Sequence, residues 1–183
     1  VADMIEGMRF ALGAVMAVRR DALQKIGGIA ATADYYSDDF VLGHEVWKAG
    51  YDVTLAQPGV GHVLMPRTLS ESFGDQLRWM KSTRYSRPLG HIGTGLTYAM
   101  PFGLLGLAAG LGAGLPVFGY SLLAASVVNR IVQCLAVGRG VLHDKNAVRF
   151  CWLYPLRDFS GFLTWTASFT SRTFRWRGEN YRF

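Results

Sequence analysis

Two short clusters in this chain contain residue types that could carry chemistry. Asp38 and Asp39 stand side by side after Ser37. A carboxylate so placed can act as a general base, taking the proton of an attacking hydroxyl. The same two acids would also be favourable if they only faced a helix N-terminus, by about 0.3–1 kcal/mol each, and the spacing leaves both roles open. The second cluster is Gln76-Leu77-Arg78-Trp79. An Arg guanidinium can pair in a fork with a diphosphate, and a Trp face can stack on a sugar or a base. The same residues also suit a helix lying at a membrane interface, where Arg and Trp reach toward headgroups. His62, just upstream, is a third candidate for a residue facing a site. His44 on a helix face is expected to be solvated, and His91 and His143 lie near the ends of apolar segments. No group of His, Cys and acidic residues has metal-ligand spacing. Cys134 and Cys151 sit in apolar stretches and read as small buried hydrophobes rather than a disulfide or a zinc site.

These clusters need elements to hold them. Ala11–Val18 is a short apolar run bounded by charge and is expected to be a buried strand. Asp21 is positioned to cap a short helix over 22–26, ended by Gly27-Gly28. Ser37 reads as the N-cap of a helix running to about Ala49 and stopped by Gly50. Tyr51–Ala56 alternates like a strand, and Gly59–Leu64 is a candidate for another. Thr68 and Glu71 fit a capping box, so a helix should begin near Leu69. That helix carries Leu69, Phe73, Leu77 and Met80 on one stripe and Arg78, Lys81, Arg84 and Arg87 toward its C-terminus, a pattern suited to a membrane surface. The first half is therefore expected to be an α/β region.

Charge and hydropathy separate the halves. Among 183 residues, the first 75 hold ten acids and six bases, whereas residues 76–183 hold three acids and thirteen bases. A basic half suggests either nucleic acid or an anionic membrane surface. Pro88–Asn129 contains 42 residues without Asp, Glu, Lys or Arg. A membrane-spanning helix needs roughly 20 apolar residues, so this stretch has room for two, and the flanking bases fit membrane anchors. The reading is a lipid bilayer and no nucleic acid. Helices are expected at about 95–112 and 115–137. A third apolar segment over 150–170 holds Arg157 next to Asp158, a pair that should face protein or water. Residues 1–87 are thus expected to form one domain, and residues 88–183 a membrane region of two or three hydrophobic helices with a basic tail. With two spans, a first half on the cytoplasmic side obeys the positive-inside rule, the orientation expected here, whereas a third full span would put Arg172, Arg175, Arg177 and Arg182 outside and break it.

Taken in order, Gly13, Met16-Ala17, Arg19-Arg20, Ala22-Leu23, Gly27-Gly28, Ala33-Asp34-Tyr35-Tyr36-Ser37-Asp38-Asp39-Phe40, Gly50 and Gln76-Leu77-Arg78-Trp79 resemble the second half of a family 2 glycosyltransferase. The ending Trp176-Arg177-Gly178-x-x-Tyr181-Arg182 is similar to the tails of the ceramide glucosyltransferase group, which includes bacterial enzymes that glycosylate hopanoid lipids. The resemblance implies a GT-A-like α/β domain followed by helices in the membrane, here a multi-pass protein of a bacterial inner membrane. It implies inverting transfer from a nucleotide-sugar donor, a UDP-sugar, to a membrane lipid hydroxyl, with a divalent metal, Mg or Mn. Asp39 matches the family's catalytic base and Asp38 the acid before it. Arg78 and Trp79 match the end of its Gln/Arg-x-x-Arg-Trp motif. Asp75 stands where that motif begins, and Gln76 is the candidate substitute. Together with His62, these are the candidate substrate-binding residues. The family's Asp-x-Asp metal motif does not occur before the acidic pair, so the chain is expected to be a C-terminal part that is inactive alone and holds no ligands for the metal. A non-catalytic membrane protein, such as a transporter fragment or lipid-binding scaffold, and a polysaccharide synthase are the alternatives.

Overall fold

The computed structural model describes residues 7–13, 15–35, 37–56, 61, 68–176 and 179–182. The chain divides into two compact units, Val1–Pro66 and Arg67–Phe183.

Among the described residues, the first unit has two short α-helices. α1 is Arg20–Lys25, with Asp21 in its first turn bonded to Arg19 (2.9 Å). A 3-10 turn, Ile29–Thr32, follows. α2 is Asp38–Lys48. Gly50, at φ 88°, ends α2 where a side chain would be strained, and Tyr51 N–H donates back to Val46 O at 3.3 Å. The expected α/β architecture is not what forms. The described residues of 11–18 and Tyr51–Ala56 run without regular structure, apart from a turn and a bend, and no ladder joins them among the described residues. The one sheet among the described residues is a two-stranded hairpin in the second unit. The reason is pairing: an apolar or alternating run becomes a strand only where a neighbour exchanges backbone hydrogen bonds with it. Gly59–Leu64, expected as a strand, lies outside the described residues except for Gly61.

The second unit is helical. α3, Leu69–Ser86, opens where the capping box places it: Glu71 N–H donates to Thr68 Oγ1 (3.2 Å) and Thr68 N–H donates to Glu71 Oε2 (2.8 Å). α4 is Pro88–Gly95 and α5 is Ala99–Gly112, bent by 48° relative to each other. α6, Pro116–Cys134, continues through a π-helical turn, Leu135–Val141. α7, Asn146–Phe150, and a 3-10 turn, Cys151–Leu153, lead into α8, Tyr154–Ala167. β1, Thr173–Trp176, pairs antiparallel with β2, Glu179–Arg182, with Thr173 opposite Arg182.

Among the described residues, one helix is long and apolar enough to cross a membrane, the 26-residue run Pro116–Val141, and the bent α4–α5 pair passes the same test together. At 1.5 Å per residue the run spans about 39 Å, against a hydrocarbon core of about 30 Å. The third expected segment is broken into α7, the 3-10 turn and α8, and α8 is only 14 residues long. α5 and α6 pack antiparallel along a seam of small residues. Gly103 faces Ser126, Gly106 faces Leu122, and a Cβ on Gly110 would lie 2.6 Å from the Gly119 Cα. Small residues let helix backbones approach in lipid, where no hydrophobic force drives them together.

Asp158 is buried in this unit. Its partner is not the neighbouring Arg157 but Arg130 on α6, at 3.0 Å. Its other oxygen accepts the Met100 N–H at 2.8 Å, and Arg130 donates to Thr97 O at 3.1 Å. Gly110→Leu should drive a side chain into the α6 backbone and destabilise the fold by about 1–3 kcal/mol. Gly112→Leu, which meets nothing within 4 Å, should be close to silent. Thermal unfolding in one detergent checks both.

Candidate functional site

The candidate residues belong to both units. In the first unit, Asp38 and Asp39 open α2 and satisfy two amides of its first turn. Asp38 Oδ1 accepts from Asp39 N–H at 2.9 Å, and Asp39 Oδ1 accepts from Phe40 N–H at 2.8 Å. Four N–H groups at a helix start lack an intrahelical acceptor, so these carboxylates perform the capping role the sequence left open. Asp38 is exposed, whereas Asp39 is half-buried. The second carboxylate oxygen of Asp39 accepts no hydrogen bond among the described residues. It sits against Gly13, where a Cβ would lie 2.7 Å away. Only glycine lets the 10–13 segment lie this close to the Asp39 carboxylate.

The same segment presses on α2 at Gly43, where a Cβ would collide with the Ala11 backbone. Ring contacts extend the docking. Phe10 stacks on Phe40 with centroids 5.4 Å apart, Phe40 on His44 at 5.7 Å, and His44 on Trp47 at 5.6 Å. His44 Nδ1 lies 3.3 Å from Arg9 O. His44 is therefore packed between two rings, not solvated as its helix position suggested. His62 lies outside the described residues.

In the second unit, α3 carries Gln76, Arg78 and Trp79, but the helix turns them apart. At 100° per residue, Gln76 and Arg78 point to opposite sides. Arg78 makes an ion pair with Asp75 at 3.5 Å, with both side chains largely buried, and its Cζ lies 5.7 Å from the centre of the half-exposed Trp79 ring. The acid that departs from the Gln/Arg-x-x-Arg-Trp pattern is thus the counter-ion of the motif's Arg. Gln76 instead lines a cavity of about 440 Å³ together with residues of α6 and α8, among them Arg130, Gln133, Tyr154 and Arg157. This cavity was not legible in the sequence, since its walls come from segments more than fifty residues apart.

The basic half of α3 is turned into the protein rather than left for lipid headgroups. Lys81 is 5% exposed and donates to Ser171 Oγ and to Thr173 O, both at 2.7 Å. Its burial, with the Arg84 charge adding to it, pulls the ammonium below the ordinary lysine range. Arg84 donates to Ser168 O at 2.8 Å, just past the C-terminus of α8, and covers the Phe169 ring at 4.9 Å. A cation there meets the negative end of the helix dipole. Nearby His91 is fully buried, with Nε2 2.9 Å from Ser168 Oγ, and Trp165 Nε1 donates to His91 O at 2.7 Å. His91 and Ser168 have no solvent access, and the constellation reads as packing.

Among the described residues, no group of three or more His, Cys, Asp or Glu could hold a metal ion.

The family model described as Glycosyl transferase family 21 matches residues 1–183. It differs in number from family 2, to which the motifs pointed, and agrees with them in being a glycosyltransferase family. No curated protein and no solved structure matches the chain.

The clamp on the segment after α8 has a direct test. Lys81→Met keeps the volume but removes two hydrogen bonds from a buried position, so it should destabilise the fold by about 1–3 kcal/mol. Limited proteolysis should cut near Ser171 sooner than in the unsubstituted protein, and an unchanged digestion pattern would show that the clamp contributes nothing.

Proposed function

Because the chain belongs to glycosyl transferase family 21, we propose that it serves transfer of a sugar from a nucleotide-sugar donor, a UDP-sugar, to the hydroxyl of a membrane lipid such as ceramide or a hopanoid. The family match along all 183 residues carries this reading. The helix long enough to span a bilayer supports the lipid surface as the place of reaction. We place the reacting side at the cytoplasmic face of a multi-pass protein, where a soluble nucleotide sugar can meet a lipid entering from the bilayer.

The chemistry assigned to the residues is a single displacement. The acceptor oxygen attacks the anomeric carbon, and its proton passes to a carboxylate oxygen of Asp39. The bond from the anomeric carbon to the phosphate oxygen breaks, and the nucleoside diphosphate leaves with the electron pair. The exposed Asp38 borders the acceptor, and the Arg78 guanidinium with the Trp79 face receives the diphosphate and its nucleoside. Gln76, next to Asp75 at the start of the motif, is assigned to the substrate side. The geometry that favours Asp39 as base is its half-buried carboxylate, with one oxygen fixed by the Phe40 amide and the other unbonded beside Gly13. A base needs an unoccupied oxygen within reach of the proton it removes.

In the intact protein, Asp39→Asn should lower kcat by about 10²–10⁴ with donor binding little changed, and Asp38→Asn should cost less. A larger loss from Asp38→Asn would move the base to the other acid. Arg78→Lys keeps the charge but loses the planar fork. It should impair transfer and leave vesicle binding intact, whereas parallel small losses in both assays would make Arg78 an anchor only.

A further inference from the structure

We propose that the cavity between α3, α6 and α8 binds the phosphate-bearing headgroup of an anionic phospholipid. The inference rests on the second unit alone and does not depend on the sugar-transfer reading. The cavity, about 440 Å³, falls within the size range of ligand pockets. Its one acid is Asp158, and both oxygens of that carboxylate are engaged, one by Arg130 at 3.0 Å and one by the Met100 N–H at 2.8 Å. What remains in the lining is rich in donors. Arg157 is exposed, has the Tyr154 ring 5.1 Å from its Cζ, and makes no ion pair among the described residues. Gln76 and Gln133 add amide groups. Arg130 keeps a buried Nε–H without an acceptor among the described residues.

A lining with one net positive charge, spare donors and no spare carboxylate favours an anion with several acceptor oxygens. A phosphate meets that need, and a guanidinium fork matches its geometry. Beside the polar Ser72 and Gln76, α3 adds the apolar Leu69, Phe73 and Met80 to the lining, which suits a ligand carrying acyl chains rather than a free anion. The position along the spanning helix agrees. Gln133 lies 17 residues into the run that begins at Pro116, or about 26 Å along it, close to the thickness of a hydrocarbon core of about 30 Å. That is the depth at which headgroups lie.

The test follows thermal unfolding of the intact, detergent-solubilised protein as lipid is titrated into the micelles. Phosphatidylglycerol should stabilise the protein saturably. Diacylglycerol with the same chains, which lacks only the phosphate-bearing head, should not, and inorganic phosphate should act only at far higher concentration. Arg157→Gln should need at least about tenfold more phosphatidylglycerol for the same effect, and Arg157→Lys should retain more of the response. Because Arg157 is exposed, both variants should unfold without lipid at the temperature of the unsubstituted protein. Absence of stabilisation by phosphatidylglycerol would overturn the site, as would an equal effect of diacylglycerol or an unshifted response in Arg157→Gln. Inorganic phosphate acting at the lipid's own concentration would overturn the assignment to a lipid.

Discussion

Two backbone groups, one at the start of α5 and one in the bend before it, converge on one buried charge pair between α6 and α8. Arg130 of α6 reaches Asp158 of α8 at 3.0 Å, Asp158 accepts the Met100 amide at the start of α5, and Arg130 donates to Thr97 O in the bend before it. Two charges out of water are costly, and they persist only when each is paired and its remaining polar atoms are largely bonded. Removing one partner of such a pair typically costs about 3–5 kcal/mol. Satisfying both charges therefore dictates the angle at which α5 leaves α4, and with it the seam of glycines along which α5 meets α6. Gly161 of α8 lies against the Tyr98 ring beside the same bend, so the aromatic packing of α8 follows from it too.

The consequence for function is a division of labour within the second unit. The charge pair forms the floor of the cavity that Gln76 lines, and it consumes the only acid there. The opposite side of α3 keeps its own pair, Arg78 with Asp75. One helix thus presents two chemically distinct faces, one toward a donor-rich cavity and one bearing an Arg with a Trp beside it. Lys81 and Arg84, which look alike with Arg78 in sequence, instead hold the segment that follows α8.

What could be read from sequence was what local chemistry decides. The capping box of Thr68 and Glu71 placed α3 to the residue, and Ser37 with two following acids placed the start of α2. Both signals act within four residues, so no distant partner can override them. The charge-free stretch marked the long apolar helices for the same reason. The strands were misread because alternation describes a face, not a partner. Ala11–Val18 and Tyr51–Ala56 have the composition of strands but no ladder. Asp158 faces protein and Arg157 is exposed, as charges within an apolar segment should be, but the partner of Asp158 lies 28 residues upstream, which the sequence did not reveal. The closeness of Gly13 to Asp39 and the walls of the cavity depend on contacts across the chain, which spacing does not encode.

If Asp39 of this family 21 chain serves as the base, as we propose, the sugar's anomeric carbon undergoes one direct displacement. The most direct measurement is the anomeric configuration of the lipid product formed by the intact protein in liposomes, read by NMR against that of the nucleotide-sugar donor. A single displacement predicts inversion in every product molecule. Retention of configuration would require an intermediate attached elsewhere and would contradict the role assigned to Asp39.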